Sequence, residues 1–318
     1  MTDSNNSFAF LFPGQGSQSV GMGKDLYEKY PLARQTFEEA DQALGYKLSQ
    51  LCFEGPEDQL RLTEITQPAI LTVSVATLRV FETRVPKPGY VAGHSLGEYT
   101  AHVAAGTISF ADAVRTVRNR GKYMQEAVPV GVGAMAAILG MEPEKVAGCC
   151  HDAAQGEVCE AANINSPEQI VISGNTAAVG RAVALAEQRG AKKAKLLPVS
   201  APFHCPLMKP AQDRLEADLN QLKMHKPAYP VACNADAALV TDELRARETL
   251  VRQVTGSVKW AQCVRLLVSQ GVQTFVEIGP GKVLWGLMRQ IDRSKTALNV
   301  SDDATLLKTL DSLSKIPA

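Results

Sequence analysis

The chain has 318 residues, enough for one large core or two smaller ones, and its 45% hydrophobic and 21% charged content is that of an ordinary globular protein. Its 33 basic side chains balance 33 acidic ones, which removes any global electrostatic reason to expect nucleic acid or a membrane surface as partner. The polar opening MTDSNNS has no basic segment leading into an apolar one, so no signal peptide is expected. The 7 irregularly spaced cysteines, with no C-x-x-C pair, point to reduced thiols in a cytoplasmic protein, without a disulfide framework or a zinc site.

In chain order, FAFLF (8–12) is a short buried strand ending at Pro13-Gly14, followed by the loop PGQGSQSVGMG and helical patterning over 25–44. A second long helix is expected over 67–83. The strand GYVAG then leads into a turn at Ser95 and a further helix, and another helix covers 111–128. Strand, tight turn and helix in that order imply an α/β architecture with a parallel sheet. Residues 131–200 read differently, as β-α-β-β-α-β, the ferredoxin-like order, inserted into the larger chain. After SAPFHCPLM come helices and short strands, ending in the strand, turn and helix of TFVEIGPGKVLWGLM (274–288).

The stretch VAGHSLGEYTA carries Gly93, Ser95 and Gly97 in G-x-S-x-G spacing. On a sharp strand-to-helix turn, the serine hydroxyl would stand at the sheet edge beside the amides that open the helix. The Leu96 N–H is then one oxyanion donor. The loop around Gln15, flanked by Gly14 and Gly16, offers a second amide. It could also cradle phosphate, although the lysine and hydroxyl of a P-loop are absent.

A serine nucleophile needs a base. His94 adjoins the serine, but neighbouring residues on a turn point apart, so it is placed beneath or beside the elbow. His102, His151 and His225 read as surface or structural. His204, in a loop shaped by two prolines, is the best candidate, against the plainer reading of a capping or solvent-facing histidine. Cys205 beside it reads as packing. In the helix 111–128, Arg115, Arg118 and Lys122 fall opposite the apolar stripe and are expected to be solvated, whereas Arg120 flanks the stripe beside Val117 and Met124. A guanidinium there either pairs with a neighbouring carboxylate or grips a substrate carboxylate through two parallel hydrogen bonds.

Taken together and in order, FLFPGQGSQ, GHSLGEYTA, RNRGKYMQEA, ANINSPEQIVISG, SAPFHCPLM and VEIGPGKVL resemble the acyltransferase family of fatty acid and polyketide synthesis, which includes the malonyl-CoA:acyl carrier protein transacylases. The resemblance implies an α/β-hydrolase-like subdomain (1–130 and 201–318) with an inserted ferredoxin-like subdomain (131–200). It implies Ser95 as the acylated nucleophile, His204 as its base, and the Gln15 and Leu96 amides as oxyanion donors. Arg120 would bind the malonyl carboxylate, and the main-chain carbonyl of Gln253 would orient the histidine. Phe203 would favour malonyl over branched groups. The partners implied are malonyl-CoA and a holo acyl carrier protein that brings its own phosphopantetheine, with no cofactor on this chain. An acidic carrier makes Arg189 and GAKKAK (190–195) docking candidates, although such a run is also ordinary solvated surface. A polyketide acyltransferase, a serine thioesterase and a non-catalytic carrier-binding protein are the alternatives.

Overall fold

The computed structural model describes residues 7–199 and 201–315. Most of the polar opening segment, Ser200 of the SAPFHCPLM loop and the last three residues fall outside them. The strands are β1 (Phe8–Phe12), β2 (Tyr90–Gly93), β3 (Gly133–Leu139), β4 (Cys159–Ser166), β5 (Gln169–Asn175), β6 (Lys193–Leu196), β7 (Val231–Cys233), β8 (Ala238–Val240), β9 (Thr274–Ile278) and β10 (Thr296–Val300). They form a six-stranded sheet in the order β10-β9-β1-β2-β7-β8 and a separate four-stranded sheet in the order β4-β5-β3-β6.

In the larger sheet β10, β9, β1, β2 and β7 are parallel, and only the edge pair β7–β8 is antiparallel. The uninterrupted apolar run of β1 follows from burial on both faces. Phe10 and Phe12 join one core, formed with helices Pro31–Leu44, Thr63–Phe81 and Phe110–Glu126. Ala9 and Leu11 point the other way, into a second core with helices Trp260–Ser269 and Val283–Ile291. Helix Thr63–Phe81 buries all its residues except Glu64, Ile65 and Arg79, which is why its sequence shows no polar stripe.

The smaller sheet is antiparallel throughout and packs helices Pro143–Ala154 and Thr176–Gln188 in a third core of its own. The order of strands and helices is the one expected for this segment. The helix expected over 25–44 is two helices, Lys24–Lys29 and Pro31–Leu44. Pro31 starts the second, and Tyr30 before it is held in extended backbone, as a residue preceding proline prefers. The helix expected from 67 starts four residues earlier, at Thr63.

Candidate active site

Gln15, Ser95 and Asn234 lie just beyond the carboxyl ends of β1, β2 and β7, three neighbouring strands of the parallel sheet. That edge is where open α/β sheets place their ligands. Only His94 and Ser95 separate β2 from helix Leu96–Ala104. A Cβ on Gly93 would stand 1.9 Å from the Gly97 carbonyl oxygen, and one on Gly97 would stand 2.1 Å from the Phe12 carbonyl oxygen, so both must be glycine.

Ser95 adopts φ 52°, ψ −108°, a strained conformation for a residue with a side chain. Two side chains hold it there. Asn234 Oδ1 accepts the Ser95 N–H at 2.7 Å, and Gln253 Nε2 donates to the Ser95 carbonyl at 2.9 Å. Asn234 Nδ2 also donates to the Gly93 carbonyl at 2.8 Å, which ties the elbow to β7.

His204 also sits at positive φ, 60°, and is buried. Its Nε2 lies 2.7 Å from Ser95 Oγ, and its Nδ1 lies 2.9 Å from the main-chain oxygen of Gln253. A carbonyl only accepts, so Nδ1 carries the proton and Nε2 is left to accept from the serine hydroxyl. Burial, reinforced by the nearby Arg120 charge, pushes the imidazole pKa down to about 3. The ring is therefore neutral at physiological pH, the state a base needs.

The other histidines are not bases for Ser95. His94 Nε2 pairs with Asn165 Oδ1 at 2.8 Å, and its ring meets Trp260 edge-on at 5.6 Å. His102 is fully buried, and His151 and His225 are exposed. Cys205 is buried, with its thiol donating to the Pro202 carbonyl at 3.1 Å.

Arg120 is 1% exposed, and its hydrogen bonds go to neutral acceptors. Nη1 donates to Gln67 Oε1 at 2.8 Å; Nη2 donates to Gln253 Oε1 at 3.0 Å and to Ser95 Oγ at 3.1 Å. The Tyr99 ring faces the guanidinium at 5.6 Å. Of the two readings of Arg120, a structural salt bridge is therefore not the one observed among the described residues. Arg115 is exposed as expected, but Arg118 is half-buried against the Tyr46 ring at 5.2 Å. The guanidinium lies over the aromatic face in a cation–π contact, an option that helical spacing does not reveal.

Ser95, His204 and Arg120 line one cleft of about 210 Å³ together with Gln15 and Phe203. Its opposite wall comes from the smaller sheet, through Asn163, Asn165 and Gln169, with Leu197 just beyond β6. Among the described residues no hydrogen bond engages the N–H of Gln15 or Leu96, while the next amides are taken, Gly97 by the His94 carbonyl and Glu98 by the Ser95 carbonyl. Sequence reading missed the residues that hold the site together, namely Gln67, Glu98, Asn165 and Asn234. Glu98 and Asn165 lie within quoted motifs, GHSLGEYTA and ANINSPEQIVISG, but neither spacing nor polarity marks any of the four as a partner in the site.

Of the docking candidates, Arg189 pairs with Asp152 at 2.6 Å and Lys192 with Glu168 at 3.1 Å, while Lys193 and Lys195 are exposed on the edge strand β6. Among the described residues no helix is long and apolar enough to cross a membrane.

A serine beside a neutral histidine, on a glycine-flanked elbow and next to a buried guanidinium, is the constellation of an acyl-transferring enzyme, and the chain belongs to the acyl transferase domain family, whose model matches residues 9–310. It is 48% identical over 305 residues, 96% of this chain and 99% of the relative, to the malonyl CoA-acyl carrier protein transacylase of Escherichia coli K12. The Bacillus subtilis enzyme of the same name is 47% identical over 309 residues, 97% of this chain and 98% of its own. Among solved structures, an acyl carrier protein S-malonyltransferase from Vibrio cholerae superposes with a TM-score of 0.94 at 48% identity, covering 95% of this chain and 99% of that one. A malonyl-transacylase in complex with a type II polyketide synthase acyl carrier protein superposes with a TM-score of 0.94 at 46% identity, covering 96% and 99%.

Proposed function

We infer that this chain transfers the malonyl group of malonyl-CoA to the phosphopantetheine thiol of an acyl carrier protein, supplying chain elongation in fatty acid synthesis. The observation that carries the reading is the buried Arg120 guanidinium, 3.1 Å from Ser95 Oγ in the same cleft. A nucleophile beside a buried cation whose direct hydrogen-bond partners are all neutral suits an acyl group that ends in a carboxylate.

The geometry performs the reaction as follows. His204 Nε2 takes the Ser95 proton as Oγ attacks the thioester carbonyl. The free amides of Gln15 and Leu96 stabilise the tetrahedral oxyanion, helped by the positive end of helix Leu96–Ala104. CoA leaves as its thiol, taking the proton from His204, and malonate remains as an ester on Ser95 with its free carboxylate on Arg120. The carrier thiol then attacks that ester, and the steps run in reverse, a ping-pong sequence. Orientation of His204 by the neutral Gln253 carbonyl, in place of a carboxylate, fixes the tautomer without adding negative charge beside the malonyl group. Phe203, lining the cleft next to His204, adds bulk that disfavours branched groups.

No metal or organic cofactor is needed for these steps, and a cytoplasmic location agrees with the substrates. Residues 1–130 and 201–318 are read as an α/β-hydrolase-like subdomain and 131–200 as an inserted ferredoxin-like one. The strand order β4-β5-β3-β6 supports the second assignment. Lys193 and Lys195 are the remaining candidates for contact with an acidic carrier. A polyketide carrier is a second reading, favoured by the likeness to a malonyl-transacylase bound to a type II polyketide carrier.

Specificity tests the proposal. With Arg120→Ala the malonyl carboxylate is left unpaired, at a cost of about 2–5 kcal/mol, or roughly 30- to several-thousand-fold in kcat/KM. Acetyl-CoA, which lacks the carboxylate, should lose far less. Equal losses on both substrates would remove Arg120 from the acyl-binding role.

A further inference from the structure

Beneath Ser95 lies a fully buried carboxylate, Glu98, that the transfer steps do not use. We propose that Glu98 is a proton-switching counter-ion of Arg120, only partly ionised in the empty site near neutral pH and fully protonated once a malonyl carboxylate sits on the guanidinium. This rests on the malonyl reading of the site.

A single amide joins the two charges. Gln253 Oε1 accepts from Arg120 Nη2 at 3.0 Å, and Gln253 Nε2 donates to Glu98 Oε2 at 2.8 Å. The same Oε2 accepts the Asn234 N–H at 2.9 Å. The other oxygen, Oε1, has no partner among the described residues. A proton can therefore be added at Oε1 without breaking either bond at Oε2, and the scaffold around Ser95 survives the change of charge.

Several other charged or titratable groups face this carboxylate. Arg120 comes from helix Phe110–Glu126, Asp236 from the loop after β7, Cys233 from β7, Cys263 from helix Trp260–Ser269, and Tyr99 from Glu98's own helix. Asp236 is engaged by Arg245 and Arg252 and is held below the usual carboxylate range. Burial raises the two thiols and the Tyr99 phenol, so they stay neutral near pH 7. Within this cluster only Glu98 is left to change charge there. Burial lifts its pKa to about 7 against the pull of its two N–H donors and of Arg120. A second carboxylate on Arg120 cancels that pull and adds repulsion, so the proton affinity of Glu98 rises when malonate is loaded.

The result is a positioning residue whose charge yields to the substrate. Ionised, it balances the buried guanidinium; protonated, it leaves the full positive charge to malonate. In a weakly buffered solution at pH 7 with an indicator dye, the wild-type enzyme should take up about half a proton per malonyl adduct. The adduct is counted by intact mass, and the ionisation of released CoA is subtracted from a titration of CoA alone. In Glu98→Gln, where the amide oxygen can occupy the Oε2 position, the uptake should vanish. The fall in malonyl over acetyl kcat/KM expected as pH rises from 6 to 8 should vanish with it.

Adduct formation without proton uptake in the wild-type enzyme, or uptake that persists in Glu98→Gln, would overturn the proposal while leaving the malonyl reading intact. The wild-type measurement decides even if the variant does not fold. No adduct at all would defeat the malonyl reading, and this proposal with it.

Discussion

Ser95 and His204 are both held at positive φ, Ser95 by Asn234 and Gln253 and His204 within a loop. G-x-S-x-G spacing announces the first of these strained positions, and a histidine between prolines hints at the second. The clamps are not legible, because Asn234 and Gln253 become partners only when β7 and helix Glu243–Gln253 pack beside the elbow. Arg120 was half legible: its place on the helix put it at the edge of the apolar stripe, but its neutral partners come from distant segments. The buried, neutral His204 predicts a specific pH response. Its pKa of about 3 lies below the ordinary imidazole value, so the base form persists as pH falls from 7 to 5. The kcat/KM for malonyl-CoA should therefore show no half-loss as pH falls through 6.5 in a pH–rate profile. An acid limb there, with activity dropping toward pH 5, would mean an exposed or differently paired histidine.

The turns connecting strands to helices carry the site, and their glycines differ sharply in what they tolerate. Gly97→Ala drives a Cβ to 2.1 Å from the Phe12 backbone oxygen, which cannot step aside. A cost of at least about 3 kcal/mol is expected in chemical denaturation. Gly180 lies exposed inside helix Thr176–Gln188 with nothing within 4 Å of an added Cβ. Gly180→Ala should stabilise by roughly 0.5–1 kcal/mol. The two glycines look alike as letters, and only the close approach of helix Leu96–Ala104 to β1 separates them. The boundaries of β1, β2 and helix Phe110–Glu126 were readable because apolar runs, helical spacing and Pro-Gly punctuation coincide with them, whereas helices Leu48–Glu54 and Glu57–Leu60 were not read at all. The break at Pro31 was obscured because apolar spacing continues across it.

At the scale of the whole molecule, the cleft exists because the smaller sheet, which keeps a core of its own under its two helices, also packs Met135, Ala162 and Val171 into the large core beside the elbow. Buried titratable groups on the larger unit also shape stability. His102 and His204 have pKa values near 3, below their unfolded value, so their contribution is full above about pH 6.5 and is lost as pH falls toward 3. Glu98 and Glu277 are raised to about 7, so theirs is full below about pH 4.5 and is lost as pH rises toward 7. The two pairs oppose each other between about pH 4.5 and 6.5, and below that window the histidines act alone. Urea midpoints should accordingly stay level across the window and drop steeply beneath it; a steady decline starting at pH 6.5 would contradict this balance.

The central claim is that Ser95 holds malonate between two thiols, and a chase experiment tests it most directly. The enzyme is loaded with malonyl-CoA, freed of excess substrate, and followed by intact mass with and without holo acyl carrier protein. The account predicts an adduct on the wild-type chain, absent from Ser95→Ala, that persists in buffer and moves to the carrier when it is added. An adduct lost to water at the same rate with or without the carrier would contradict it and mark the protein as a hydrolase.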